Sequence, residues 1–168
     1  MRTQARRLIM SCCIVAAAAS AHAAGTVDVS FVDPARFADA GTSPSAQQAN
    51  LRTIASYLQA LGERHLTSAQ VLKIEVLDVD LGGHVKFLRR RVDDARVAKG
   101  MADWPRINVR YSLQTDGKVE RSGEESIGDM NYLGHVASYQ TMDPLRHEKQ
   151  MLERWFKSRF VEQRTPTD

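Results

Sequence analysis

The most regular stretch of the chain is 107–127. Ile107, Val109, Tyr111 and Leu113 alternate with Asn108, Arg110, Ser112 and Gln114, the period of two expected of a strand with one buried face. Asp116-Gly117 comes next, a dipeptide suited to the positive φ angles of a tight hairpin turn. From Lys118 the chain runs back as a more polar partner strand that ends near Gly128. Val27, Val29 and Phe31, spaced by Asp28 and Ser30, predict a first strand closed by Asp33-Pro34. After a loop rich in Gly, Ser, Thr and Pro, Leu51, Ile54, Leu58 and Leu61 fall on one helical stripe. Ser43 or Ser45 can cap that helix, Pro44 suits its first turn, and Ser45 with Gln48 has the spacing of a capping box. Gly62 is placed to mark or weaken its C-terminal end.

A second strand is predicted over 71–81, with Leu72, Ile74 and Val76 facing the core. Asp78 and Asp80 continue the same parity, so at a fixed register two carboxylates would point inward. Either a bulge near Leu77 exchanges the faces or the strand leaves the sheet there. Gly82-Gly83 ends it. Strand, helix and strand in this order favour a right-handed parallel crossover. The segment 84–105 reads as a long loop holding a short helix or strand, and Trp104-Pro105 leads directly into the hairpin. Asp143-Pro144 signals a helix start, with the apolar stripe Leu145, Leu152, Trp155, Phe156 and Phe160 after it. Glu153 and Lys157 are spaced as an i,i+4 ion pair on its exposed side, and 163–168 reads as a frayed tail. The expected fold is α+β: a single domain, a mainly antiparallel sheet of about four strands, and two amphipathic helices packed on one face. The first two strands are the parallel pair.

The N-terminus stands apart from this pattern. Arg2, Arg6 and Arg7 precede an apolar run over 8–19, and Ala21-His22-Ala23 supplies small residues around one larger one. This is the order of a secretory signal peptide over 1–23, cleaved after Ala23. The run is shorter than the roughly 20 residues needed to span a bilayer as a helix. The domain proper is then 24–168, and the charge balance changes with the cut. The whole chain has 23 basic and 20 acidic side chains. Without the three arginines of the leader the count is 20 against 20, so the basic isoelectric point belongs to the leader. A nucleic-acid partner, which leaves a net basic footprint, is not expected. Cys12 and Cys13 also fall within the leader, leaving no disulfide, thiolate nucleophile or cysteine metal ligand. A lipidated Cys12 would have only Leu8, Ile9 and Met10 ahead of it as an apolar core, against the usual ~7 to 15 residues.

Four histidines remain in the domain: His65, His84, His135 and His147. Asp78, Asp80 and His84 superficially resemble a cation site, but the fifth and twelfth positions of a calcium loop are Gly82 and Arg89, neither of which supplies the required carboxylate or oxygen donor. Hydrogen bonding of strand-end carboxylates to amides or arginines is the simpler reading. Asp129 and His135, with Asn131 and Tyr132 around Gly128 and Gly134, offer a carboxylate near a histidine, the minimum for general acid–base work. A turn-rich connector often contains the same residues. His65 and His147 are expected at the surface. Arg89-Arg90-Arg91 is offset by Asp93-Asp94, and Trp104 is either a ligand anchor or a cap on the core. Asp78, Asp80 and Trp104 are therefore the ligand-binding candidates, Asp129 and His135 the catalytic ones, and Asp78, Asp80 and His84 the metal ones. No G-x-S-x-G, H-E-x-x-H, G-x-x-x-x-G-K-[ST] or G-x-G-x-x-G occurs, which removes the common hydrolase, zinc-protease, P-loop and dinucleotide classes. No cofactor is expected.

The phrases Asp78-Val79-Asp80-Leu81-Gly82-Gly83, Trp104-Pro105-Arg106-Ile107 and Asp143-Pro144-Leu145-Arg146-His147-Glu148-Lys149, with Leu152 and Trp155-Phe156 and the first-strand stretch over 27–34, resemble a family of exported Gram-negative proteins known only as domain of unknown function 3016. The resemblance covers nearly the whole domain. It implies one exported domain in the bacterial envelope, and implies no activity, cofactor or catalytic residue. The sequence thus favours a soluble periplasmic binding or accessory module without catalysis, acting on an envelope protein or small ligand. The alternative is a metal-dependent or acid–base enzyme using these Asp and His residues. Membrane attachment through the last helix is the least economical reading, because packing on the sheet explains the same apolar stripe.

Overall fold

A computed structural model of the chain describes residues 24–82, 84–86, 95–97, 103–134 and 143–162. Residues 1–23, expected as a leader, and 163–168, expected as a tail, lie outside the described residues. Strand β1 (Thr26–Phe31) pairs in parallel with β2 (Gln70–Asp80), and the connection between them carries helix α1 (Pro44–His65). β2 pairs antiparallel with β5 (Arg106–Thr115), and β5 with β6 (Lys118–Gly128), giving the sheet order β1-β2-β5-β6. Between β2 and β5 the strands β3 (His84–Lys86) and β4 (Ala95–Val97) form a separate antiparallel pair, where one short element was expected. Helix α2 (Arg146–Phe160) completes the domain. Among the described residues no helix is long and apolar enough to cross a membrane.

Side chains in register stack into rows across the inner face of the sheet. Val27, Leu72 and Leu113 form one row, Ile74, Tyr111 and Gly123 a second, and Val79, Ile107 and Ile127 a third. Both helices bury their stripes against this face. Leu51, Ile54, Leu58 and Leu61 of α1 and Met151, Leu152, Trp155, Phe156 and Phe160 of α2 join the same core cluster. Their burial removes apolar surface that neither the sheet nor the helices could hide alone.

The hairpin turn is as predicted. Asp116 and Gly117 have φ of 50° and 77°, the left-handed pair of a type I′ turn whose twist suits adjoining strands. Ser43 is the α1 cap, its hydroxyl accepting from the Ala46 amide at 3.2 Å with Pro44 in the first turn. One helix start differs from expectation. Asp143-Pro144 forms a turn ahead of α2 rather than its first residues. Asp143 Oδ1 accepts from the Leu145 amide at 2.9 Å and Oδ2 pairs with Lys149 at 2.6 Å, so the carboxylate organises a turn that delays the helix to Arg146. The expected Glu153–Lys157 pair forms, and Glu153 has a further partner. It binds Lys157 at 2.7 Å and also accepts from the Tyr57 hydroxyl at 3.0 Å, tying α2 to α1.

Gly62 likewise does not end α1, which continues to His65. A Cβ built on Gly62 would lie 2.1 Å from Val27 Cγ2, so the missing side chain is what lets the helix approach β1. Gly62→Ala gains helix propensity of about 1 kcal/mol, yet overpacking costs about 1–3 kcal/mol. We expect net destabilisation in urea melts, relieved rather than deepened when Val27→Ala is added; additive losses would remove the steric account.

Candidate functional site

The sequence candidates that the structure describes gather at one end of the sheet, where β2 and β6 leave and β5 enters. The register of β2 against β5 shifts between Val76 and Asp78. This bulge at Leu77 is the predicted exchange of faces: Val79 and Leu81 go to the core, and Asp78 and Asp80 go to the outer side. Asp78 Oδ1 accepts from the Ala38 amide at 2.9 Å, and Asp80 Oδ2 pairs with Arg106 at 2.8 Å. Asp80, Arg106 and Gly128 stand in register across three strands. Half-buried Trp104 lies over Gly128, where a Cβ would sit 3.6 Å from the indole Nε1. His84 belongs to β3, but its side chain lies outside the described residues, as do Gly83, Arg89-Arg90-Arg91 and Asp93-Asp94. Among the described residues no three His, Cys, Asp or Glu side chains are grouped to hold a metal ion.

Asp129 lies on the helix side of the same sheet end, so the sheet separates it from Asp78 and Asp80. It is 7% exposed. Its Oδ2 accepts from Arg154 of α2, its Oδ1 from the Asn131 amide at 3.1 Å, and its own amide donates to the Pro105 carbonyl at 3.3 Å. These contacts fasten the turn 129–134 to α2 and to the entrance of β5. His135 lies outside the described residues. The histidine brought here is His147, and its expected surface position is corrected. The Tyr132 and His147 rings meet edge to face at 5.0 Å and 89°.

Tyr132 is 2% exposed, and neither its hydroxyl nor either ring nitrogen of His147 has a hydrogen-bond partner among the described residues. The Tyr132 main chain approaches the imidazole without reaching hydrogen-bond geometry. Burial pushes the Tyr132 phenol up, and the Asp103 and Glu148 carboxylates add to this. Burial likewise holds His147 below its ordinary value, reinforced by Arg146 and opposed by Asp129. Glu148 is 2% exposed, one turn before Leu152 and three residues after Leu145. Its place on the apolar stripe is visible in the helical spacing. His147 gives no such signal, because the turn that covers it comes from another part of the chain.

These shifts fix a pH dependence. His147, and His65 packed 6.1 Å from the Phe156 ring, are both lowered from about 6.5 mainly by burial. Below that value the unfolded chain binds protons that the folded chain refuses, so stability is present above pH 6.5 and is lost as pH falls through the lowered folded values. Urea midpoints should therefore drop between neutral and mildly acidic pH. His147→Phe should flatten part of the drop, and an unchanged slope would refute the assignment.

A different arrangement occupies the solvent face of the sheet. Ser112 and Ser122 are register partners on β5 and β6, with Lys73 beside Ser112 on β2. The next row is longer: Arg110 binds Glu75 Oε2 at 3.0 Å and Glu124 Oε2 at 3.0 Å. These carboxylates hold the guanidinium firmly charged, with the Glu124 hydrogen bond contributing most. Two small serines beside this tall ionic row leave a trough of about 450 Å³ across the strands. Lys73 is exposed and has no carboxylate partner among the described residues, although Asp28 is its register neighbour on β1. Nothing in the linear pattern marks this trough, since an outward Ser at a strand position is the ordinary case.

Residues 25–158 match the sequence profile of a family described as "Protein of unknown function (DUF3016)". Comparison with curated proteins and with solved structures yields no match.

Proposed function

The chain belongs to that family of proteins of unknown function, DUF3016, and on this footing we propose that it is an exported, non-catalytic binding module of the bacterial periplasm. The observation that carries the binding role is the trough on the solvent face of the sheet. Its charged walls are braced by Arg110, and Ser112, Ser122, Gly123 and Tyr111 complete its lining. Export is supported by the Arg-led apolar leader ending in Ala21-His22-Ala23 and by the even charge balance of the chain beyond it. The partner is a small ligand or an envelope protein. In the test, a photo-crosslinking residue is placed in cells at Val119, exposed on β6 in the row beside Ser112 and Ser122 and outside the trough's lining, with Gln59 on the exposed side of α1 as the control. A mature N-terminus at Ala24 and one recurrent adduct from Val119 alone are expected. An intact Met1, a fatty acid on Cys12, or equal adducts at both positions would overturn the reading.

A second reading, an acid–base enzyme, draws on the buried Asp129, Tyr132 and His147 group. Perturbed titrating groups in one place mark functional sites often enough to test. The reading predicts a His147-dependent activity and, in its metal-dependent form, stoichiometric metal in the purified protein. A His147→Gln variant with unaltered activity would exclude this group as its centre.

A further inference from the structure

The arrangement of charges in the trough points to a ligand class, and that assignment rests on the binding role proposed for it. We propose that the trough binds a short peptide as a zwitterion, its carboxylate against Lys73 and the Ser112 and Ser122 hydroxyls, its amine and amide donors toward Glu75 and Glu124. Two cations, Lys73 and Arg110, and two carboxylates line the same 450 Å³ space. A purely anionic ligand would meet Glu75 and Glu124, and a purely cationic one would meet Lys73 and Arg110. A ligand with both charges and donors between them satisfies each group, as charge-assisted hydrogen bonds require. Arg110 spends its hydrogen bonds on the Oε2 atoms of Glu75 and Glu124, leaving one oxygen of each carboxylate for the ligand among the described residues. Among the described residues Lys73 has no such brace, which leaves its ammonium for a ligand.

The face also argues against other occupants. Tyr111 lines the trough, but its ring packs on the helix side against Trp155 at 5.9 Å and Phe160 at 5.4 Å, so among the described residues no aromatic ring is offered to a sugar or a base there. Alternation of sign along the rows from Asp28 to Glu124 gives no continuous basic stripe for a phosphate backbone.

The test is a titration of the full exported chain, read through backbone amide resonances. The probes are trialanine, its N-acetyl amide derivative, and maltotriose. Trialanine should give saturable shifts centred on Lys73, Ser112 and Ser122, and capping both ends should weaken binding about tenfold or more. Lys73→Met keeps the methylene stem and removes only the ammonium, and should cost roughly tenfold. Ser122→Trp fills the trough from the solvent side, where it disturbs no core contact, and should abolish the shifts. No saturable shift with trialanine, equal binding of the capped peptide, or an unchanged Lys73→Met variant would overturn the proposal. Preferential binding of maltotriose at the same residues would overturn the peptide class while leaving the binding reading intact. A silent trough combined with no Val119 adduct in cells would remove both.

Discussion

Phe156→Ala should remove most of the domain's stability. The side chain is fully buried, with its ring 5.1 Å from Phe160, 6.4 Å from Trp155 and 6.1 Å from His65. Phe160 and Trp155 in turn abut Tyr111 on β5 at 5.4 and 5.9 Å, so the Phe156 cluster is the seam between α2 and the sheet. Truncating a buried Phe to Ala costs about 3–5 kcal/mol, because lost transfer energy is joined by an unfilled cavity. Edge-to-face ring pairs add ~0.5–1.5 kcal/mol each beyond area. Against a total stability of about 5–15 kcal/mol, this is the difference between a folded and a marginal domain. With a urea slope of about 2 kcal/mol per molar, the midpoint should fall by roughly 2 M. Gln59→Ala on the exposed side of α1 should cost no more than about 0.5 kcal/mol, a midpoint shift of about 0.25 M. A Phe156→Ala midpoint within that same margin would mean that α2 does not carry the core.

How much of this fold is legible in the sequence depends on where each signal is stored. The parity of β2 implies either a bulge or an exit from the sheet, since two aspartates could not stay on the Leu72 side without desolvating both charges, and the fold takes the bulge. The hairpin turn is legible because Asp-Gly admits two positive φ angles. Both apolar helix stripes are legible because period and burial share one cause. Gly62 misleads because its meaning lies in a contact with Val27, 2.1 Å from where its Cβ would be, which nothing local records. His147 misleads for the same kind of reason: the 129–134 turn comes from the far end of β6 to cover it. Sequence proximity pairs Asp129 with His135, which lies outside the described residues, and gives no sign that the fold sets His147 beside Tyr132. Asp78 and Asp80 are legible at the right end of the sheet, and the serine trough is not legible at all.

β6 shows the limit of the alternation rule and gives the second large effect. Its inward positions read Arg121, Gly123, Glu125 and Ile127, and among these only Ile127 is fully buried. An edge strand at the margin of the helix layer gains little from apolar residues there, and charged ones protect its open edge. Glu125 turns that margin into a junction. Its Oε1 accepts from the Tyr111 hydroxyl at 3.0 Å, and its Oε2 accepts from the Trp155 indole at 3.1 Å and from Arg159 Nε at 3.0 Å.

Glu125→Ala strands three donors around a half-buried site and should cost about 2–4 kcal/mol, since each orphaned partner forfeits roughly 1–3 kcal/mol less what water restores. Glu125→Gln separates the charge from the geometry. Its amide oxygen can still receive Trp155 and Arg159, and its NH₂ can donate to the Tyr111 hydroxyl, so only the charge on Arg159 loses its counterpart. That loss should be about 1 kcal/mol. Burial first, and the Glu125 hydrogen bond second, raise the Tyr111 phenol. Its titration should therefore move toward the ordinary tyrosine range in Glu125→Gln, even where the melting curve barely changes. Equal losses for Ala and Gln, with no movement of Tyr111, would show that α2 is held to β6 by the ring cluster alone.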